Sequence, residues 1–147
     1  MNIAKALKVR NKLVGEINTL KDRMTRANST LEGNEFKTDN TALYQEYMNK
    51  VSTLISLKAA IAKANVPVNA LIYELSEAKD RIEFLKRLDT ESGKVAPERY
   101  GLASIITKIV QFDAKKVQEE IEKTETLIEK IQDELDAFNA KTVIEFE

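Results

Sequence analysis

The sequence predicts an all-α fold: four long helices in antiparallel, coiled-coil-like packing, with a short β element before the last helix. Three observations carry that prediction. Val117, Ile121, Thr124, Ile128, Ile131, Leu135 and Phe138 step alternately by four and three residues, the spacing of a seam along one helix that packs lengthwise on others. Glycine (4) and proline (2) are scarce across 147 residues, so little interrupts helix growth. Charged residues make up 32% and apolar residues 43%, the mixture of long amphipathic helices.

The first helix is expected over residues 3–28. Ile3, Ala6, Arg10, Leu13, Ile17, Leu20, Met24, Ala27 and Leu31 keep the same alternation. Arg10 is the polar member, and its stem can lie along the seam while its head reaches water. Leu7 and Val14 widen the apolar face toward what a bundle needs. Gly15 falls mid-helix, where it costs about 1 kcal/mol relative to Ala, unless it admits a close neighbour.

Residues 32–39 read as a loop around Gly33-Asn34. Asn40 or Thr41 then caps a second helix over 41–64, whose apolar face is Tyr44, Tyr47, Met48, Val51, Leu54, Ile55 and Ile61. The short link Asn65-Val66-Pro67-Val68-Asn69 predicts a reversal into an antiparallel hairpin, with Asn69 capping the third helix over 70–88. Leu71, Leu75, Ala78, Ile82 and Leu85 form that helix's seam, and Ile72, Phe84 and Leu88 broaden it.

Thr90 to Lys94 end the third helix, and Pro97 keeps the next stretch non-helical. Residues 104–112 are rich in β-branched side chains and predict a strand. Asp113 caps the fourth helix, over 114–139. Residues 142–147 read as a second short strand. The two strand candidates flank a helix about 39 Å long and so cannot pair with each other within one chain. Either a two-fold dimer exchanges them, or residues 95–112 form their own hairpin and the tail frays.

Chain length fits a single domain over 1–147 with its own core. The chain has no His, no Cys and no Trp. That excludes histidine-based triads, Glu-x-x-His metal bundles, thiol catalysis and cysteine-ligated zinc. There is no phosphate loop, no GxGxxG and no GxSxG. No catalytic set, cofactor or metal is therefore expected, and the protein is not expected to be an enzyme. Glu119, Glu120, Glu122, Glu125 and Glu129 crowd helix four, but a cation there would need ligands from another helix, and a solvated face is the reading preferred. Tyr44 and Tyr47 fit core packing better than base stacking. For Tyr100, beside Arg99 and Gly101, neither use is preferred.

Net charge is −1 but unevenly spread. Residues 1–31 carry +5, from Lys5, Lys8, Arg10, Lys12, Lys21, Arg23 and Arg26 against Glu16 and Asp22. Residues 113–147 carry −6. The first and last helices then attract each other as neighbours. In the alternative reading, the seven basic residues contact an anion such as nucleic acid. No apolar run approaches a membrane span, and residues 1–5 do not suit a secretion signal, so a cytoplasmic setting is expected.

The order of parts resembles a septicolysin-like family of small bacterial helical proteins of unassigned function. The residues that carry the resemblance are Ala6-Leu7, Arg10, Leu13, Ile17, Leu20 and Asn28, then Leu54-Ile55 and Ile61 to Asn65. They continue with Tyr100, Ile105, Asp113, Asn139 and Thr142. The family commonly has Trp where this chain has Ala140. The resemblance implies a helical, self-associating protein and brings no catalytic residues. The expected function is therefore a self-associating helical bundle, a homodimer by preference, that binds a protein partner, of a kind a phage or mobile element would encode. The alternative is a nucleic-acid-binding accessory protein that uses the basic first helix.

Overall fold

Asn2 starts the structure in two ways. Its backbone is extended and its side chain accepts from the Lys5 N–H at 2.9 Å, capping helix α1, Ile3–Ala27. Its side-chain amide also donates to the Ala140 carbonyl at 3.0 Å, tying that cap to the far end of the chain. In the computed structural model, which describes residues 1–96, 101 and 105–146, the further elements run in order. They are α2 (Asn40–Asn65), a 3₁₀ turn (Val66–Val68), α3 (Asn69–Lys86), β1 (Gly93–Val95), β2 (Ile106–Lys108) and α4 (Ala114–Lys141). The protein is mainly helical, with one short antiparallel two-stranded sheet among the described residues.

The chain divides into two compact units, residues 1–69 with 136–147, and residues 70–135. In the first, α1 and α2 form an antiparallel pair. Met24 lies beside Asn40, Glu16 beside Lys50, and Ile3 and Ala6 pack with Leu57 and Ile61. The loop turns at Gly33, whose φ of +88° is a left-handed conformation that side chains resist. Asp39 caps α2 by accepting from the N–H groups of Thr41 and Ala42. Asn40, expected as a possible cap, instead donates to the Met24 carbonyl and to Asn28 Oδ1, closing the end of α1.

The core of this unit is Ile3, Ala6, Leu57, Ile61 and Ile144, with Leu7, Leu13, Phe138 and Phe146 packed around it. Ile144 reaches the core because the tail runs antiparallel to the first residues. The Ile3 N–H donates to Thr142 O (2.9 Å) and the Ile144 N–H to Met1 O (2.8 Å), with a bridge between Asn2 and Val143. The described tail, residues 142–146, thus forms a single bridge, not a strand of its own, and it is paired within the chain instead of frayed. Asn2 and Ile3 supply its partners.

In the second unit, Leu85 of α3 packs with Val117 and Ile121 of α4, and Leu88 sits against them. Thr124, in the α4 seam, is buried and donates to the Glu120 carbonyl at 2.7 Å. Asp113 caps α4 as expected, accepting from the Lys116 N–H at 2.8 Å. The strand expected over 104–112 shortens to Ile106–Lys108, because the partner β1 offers only three residues; Val95 pairs with Ile106 and Gly93 with Lys108. Ile109 and Phe112 are left exposed. Pro97, Tyr100 and the start of that strand candidate lie outside the described residues.

The reversal expected at residues 65–69 does not occur. Asn65, Val66 and Asn69 all hold right-handed helical backbone, and the Asn69 N–H donates to Val66 O. Pro67 sits in the first turn of the 3₁₀ segment, where its missing N–H leaves no bond unmade. Asn69 therefore lies inside a helical run and caps nothing. The first unit is built on α1, α2 and the end of α4, and the second on α3 and the rest of α4. Gly15 admits no close neighbour either, since a Cβ built there meets nothing within 4 Å.

Two substitutions test the tail's part in this core. Ile144→Ala is expected to destabilise the protein by about 2–5 kcal/mol, the range for emptying a buried isoleucine site. Val143→Ala, at the neighbouring exposed position, is expected to be near neutral. Urea unfolding followed by circular dichroism distinguishes them.

Candidate functional site

The helix places five of the seven basic residues together. Counted along α1, Lys5, Lys8, Lys12, Glu16, Thr19, Arg23 and Arg26 step by three and four residues on the side away from Ile3, Ala6, Ile17 and Leu20. All five cations on this stripe are exposed. Arg10 and Lys21 lie elsewhere. Arg10 is half-buried on the seam side, with its guanidinium donating to Asn11 Oδ1 at 3.0 and 3.2 Å. The Lys21 ammonium sits 5.8 Å from the ring centre of Tyr47, a cation–π distance.

Glu16 interrupts the stripe and is itself neutralised. Lys50 of α2 donates to it at 2.8 Å, Lys12 approaches to 3.8 Å, and Lys50 also lies 3.8 Å from Glu46. The hydrogen bond from Lys50, helped by the charges of Lys50 and Lys12, holds the Glu16 carboxyl below its ordinary range. The same bond raises Lys50 above the ordinary lysine value, with Glu46 adding to the effect. Lys12, Glu16, Thr19, Arg23, Glu46 and Lys50 line a shallow groove between α1 and α2. Such a groove can hold an anion by the charges of Lys12, Arg23 and Lys50.

Lys50 is the member sequence reasoning missed. Its signal was its position: four residues before Leu54 and seven before Leu57, it lies on the inward face of α2, where a lysine needs a carboxylate.

The two tyrosines expected in the core are not there. Their rings stack at 5.8 Å and 29°, and with Lys21, Met24 and Thr25 they line a hollow beside the α1–α2 turn. Tyr44 faces solvent, because the inward face of α2 is taken by Leu54, Leu57 and Ile61. The seven apolar residues read as one face of α2 therefore divide. Ile61 turns inward with Leu57, whereas Tyr44, Met48 and Ile55 point out.

On α4, Glu120 is gripped by Lys123 at 3.0 Å and Lys116 at 3.3 Å, and those bonds lower its pKa, Lys123 first. Glu122 accepts from Gln118. Among the described residues no three acidic side chains converge as a metal site requires. Nor is any described helix long and apolar enough to cross a membrane. No family model, no curated protein and no solved structure matches this chain.

The Glu16–Lys50 pair predicts a pH signature. Glu16 is held low, so its contribution is present above the unfolded carboxylate value and is lost as pH falls through the folded one. Lys50 is held high, so its contribution is present below the unfolded lysine value and is lost as pH rises through the folded one. Glu16→Gln is expected to lower Tm slightly at pH 7 and to converge on the parent as pH falls through the titration of the folded Glu16 carboxyl. Melting curves of both proteins across pH 3–10 check it.

Proposed function

We propose that this chain is a structural, interaction-based protein: a helical module that self-associates, as a homodimer, and offers its remaining surface to a protein partner. One observation carries the reading. Large apolar side chains on α2 and the turn after it face solvent, with Tyr44 54%, Met48 45%, Ile55 63% and Val66 65% exposed. A helix of 26 residues with only Leu57 and Ile61 buried leaves most of its apolar surface to a partner. The four-helix, coiled-coil-like packing predicted for one chain then belongs to the pair, where two α1–α2 hairpins come together. The likeness to the septicolysin-like family supports a helical, self-associating protein of this kind. A cytoplasmic setting and carriage by a phage or mobile element belong to the same proposal. The reading assigns no catalysis, cofactor or metal.

A second reading has its own observation, the five exposed cations on one face of α1. In it, Lys5, Lys8, Lys12, Arg23 and Arg26 contact a polyanion such as nucleic acid, with Arg10 and Lys21 outside the contact.

Light scattering at micromolar concentration tests the first reading. A mass of twice the 16.6 kDa chain is expected, and the single-chain mass would overturn self-association. Fluorescence anisotropy with labelled oligonucleotides tests the second. Binding at low salt is expected to weaken steeply as salt rises, with a log–log slope of about −4 for five phosphate contacts. Binding that is absent at low salt, or unchanged by Lys8→Glu with Lys12→Glu, would remove it.

A further inference from the structure

We infer that the solvent-facing stripe of α2 is the surface on which a second copy of this chain docks, antiparallel, about a two-fold axis at Ile55. The inference rests on the self-association proposed above and supplies its surface and register. The stripe is Tyr44, Met48, Val51, Ile55, Ala59, Ala62 and Val66, the last being the first residue of the 3₁₀ turn. These positions are three or four apart throughout, and at 100° per residue they fall within an arc of about 80°. Leu57 and Ile61, which α1 and the tail cover, lie on the other side of the helix. Every member except Val51, which is half-buried, is exposed in the single chain.

Side-chain size selects the direction. With Ile55 on the axis, an antiparallel copy sets Val51 opposite Ala59, Met48 opposite Ala62 and Tyr44 opposite Val66. Each larger side chain of the first half meets a smaller one of the second, so the two surfaces interdigitate over their length. A parallel copy would stack Tyr44 on Tyr44 and Met48 on Met48, and would leave Ala59 and Ala62 facing their own equivalents across a gap. The small residues also let the backbones approach to the 8–10 Å typical of packed helices.

Charge selects the same direction. From Tyr47 to Val66 the helix has no acidic residue, and its lysines are Lys50, Lys58 and Lys63. Lys50 turns inward to Glu16. In the antiparallel register Lys58 lies opposite Ser52 and Lys63 opposite Tyr47, so no lysine meets a lysine. The parallel register would place Lys58 on Lys58 and Lys63 on Lys63. The overlap runs about 33 Å, which for two helices 10–12 Å across buries on the order of 1,200 Å² in total, the lower end of a stable dimer interface.

The absence of cysteine makes the test direct, since any cysteine introduced is the only thiol. In the full chain, Ile55→Cys is expected to give a covalent dimer with a short bis-maleimide at micromolar concentration. Met48→Cys alone and Ala62→Cys alone are expected to give little, and an equal mixture of the two is expected to cross-link. Self-cross-linking of Met48→Cys as strong as that of Ile55→Cys would overturn the antiparallel register. Ile55→Lys sets two ammonium groups on the axis and is expected to weaken the dimer at least about tenfold. Its helicity should persist, because that side chain is solvent-exposed in the single chain. A monomeric parent protein would overturn both this inference and the reading it rests on. A dimeric parent whose Ile55→Lys variant remains equally dimeric, or whose Ile55→Cys variant does not cross-link, would overturn the inference alone and leave self-association to another surface.

Discussion

The pairing of the first three residues with the tail is the constraint on which the first unit depends. A helix N-terminus presents N–H groups with no partner inside the helix, and a C-terminus presents carbonyls in the same condition. Here each end answers the other. The Ile3 N–H of α1 finds Thr142 O, the Asn2 side chain fills both the Lys5 N–H and the Ala140 carbonyl, and Met1 and Ile144 exchange backbone contacts. The positive end of α1 also meets the negative end of α4, so the two helix dipoles favour the same placement. Only in that arrangement does Ile144 arrive at the core beside Ile3, Ala6, Leu57 and Ile61. The hydrogen bonds fix the position, and the apolar burial that follows supplies most of the stabilisation.

That core uses only one side of α2. The inward face is fixed by α1 and the tail, which cover Leu57 and Ile61, and by Glu16, which holds Lys50. Apolar residues at Tyr44, Met48 and Ile55 are then on the outside by geometry, since side chains half a turn apart cannot share a face. Local helix formation does not explain them, because polar residues with good helix propensity would serve as well at exposed positions. Apolar side chains held in water along one line of a helix suit a second apolar surface, and this match is the basis for the partner chain proposed above.

Much of the helical framework was legible in the sequence, because it depends on local rules. The four-three alternation located α1 and α4 to within two residues at each end, and Asp113 was readable as a cap from its place before Ala114. The link at residues 65–69 was misread because a short connection containing proline suits either a turn or the first turn of a new helical segment. The choice depended on whether Pro67 removed a needed N–H, and it did not. The tail was misread for a different reason. Pairing between Asn2 and Val143 is non-local, and no period in the sequence reports it. The basic stripe was legible as a count of charges. Its division into Lys5, Lys8, Lys12, Arg23 and Arg26 against Arg10 and Lys21 required knowing which side of α1 faces the core. Tyr44 and Tyr47 were misplaced because the seven apolar residues of α2 were read as one face, whereas Tyr44 lies on the outer side and Tyr47 is only half-buried.

The cationic stripe of α1 and the apolar stripe of α2 differ in what they ask of a partner. The first repeats a single charge over about 32 Å, carries no large apolar side chain and is interrupted by Thr19 and by a Glu16 that Lys50 and Lys12 already neutralise. A surface of that kind binds through long-range attraction, which salt screens. The second has no acidic residue beside it between Tyr47 and Val66 and, in the dimer proposed, would bind by excluding water, which salt does not weaken. The two stripes belong to different helices; the cationic one borders the groove between α1 and α2, and its five cations stay exposed. Two copies joined through α2 would therefore keep both α1 stripes in solvent, one on each outer side of the pair. Self-association and anion contact then do not compete for surface. Dimerisation would double the number of cationic stripes in one particle, so that a polyanion long enough to reach both would be held at two places and bound more tightly than one stripe alone could hold it.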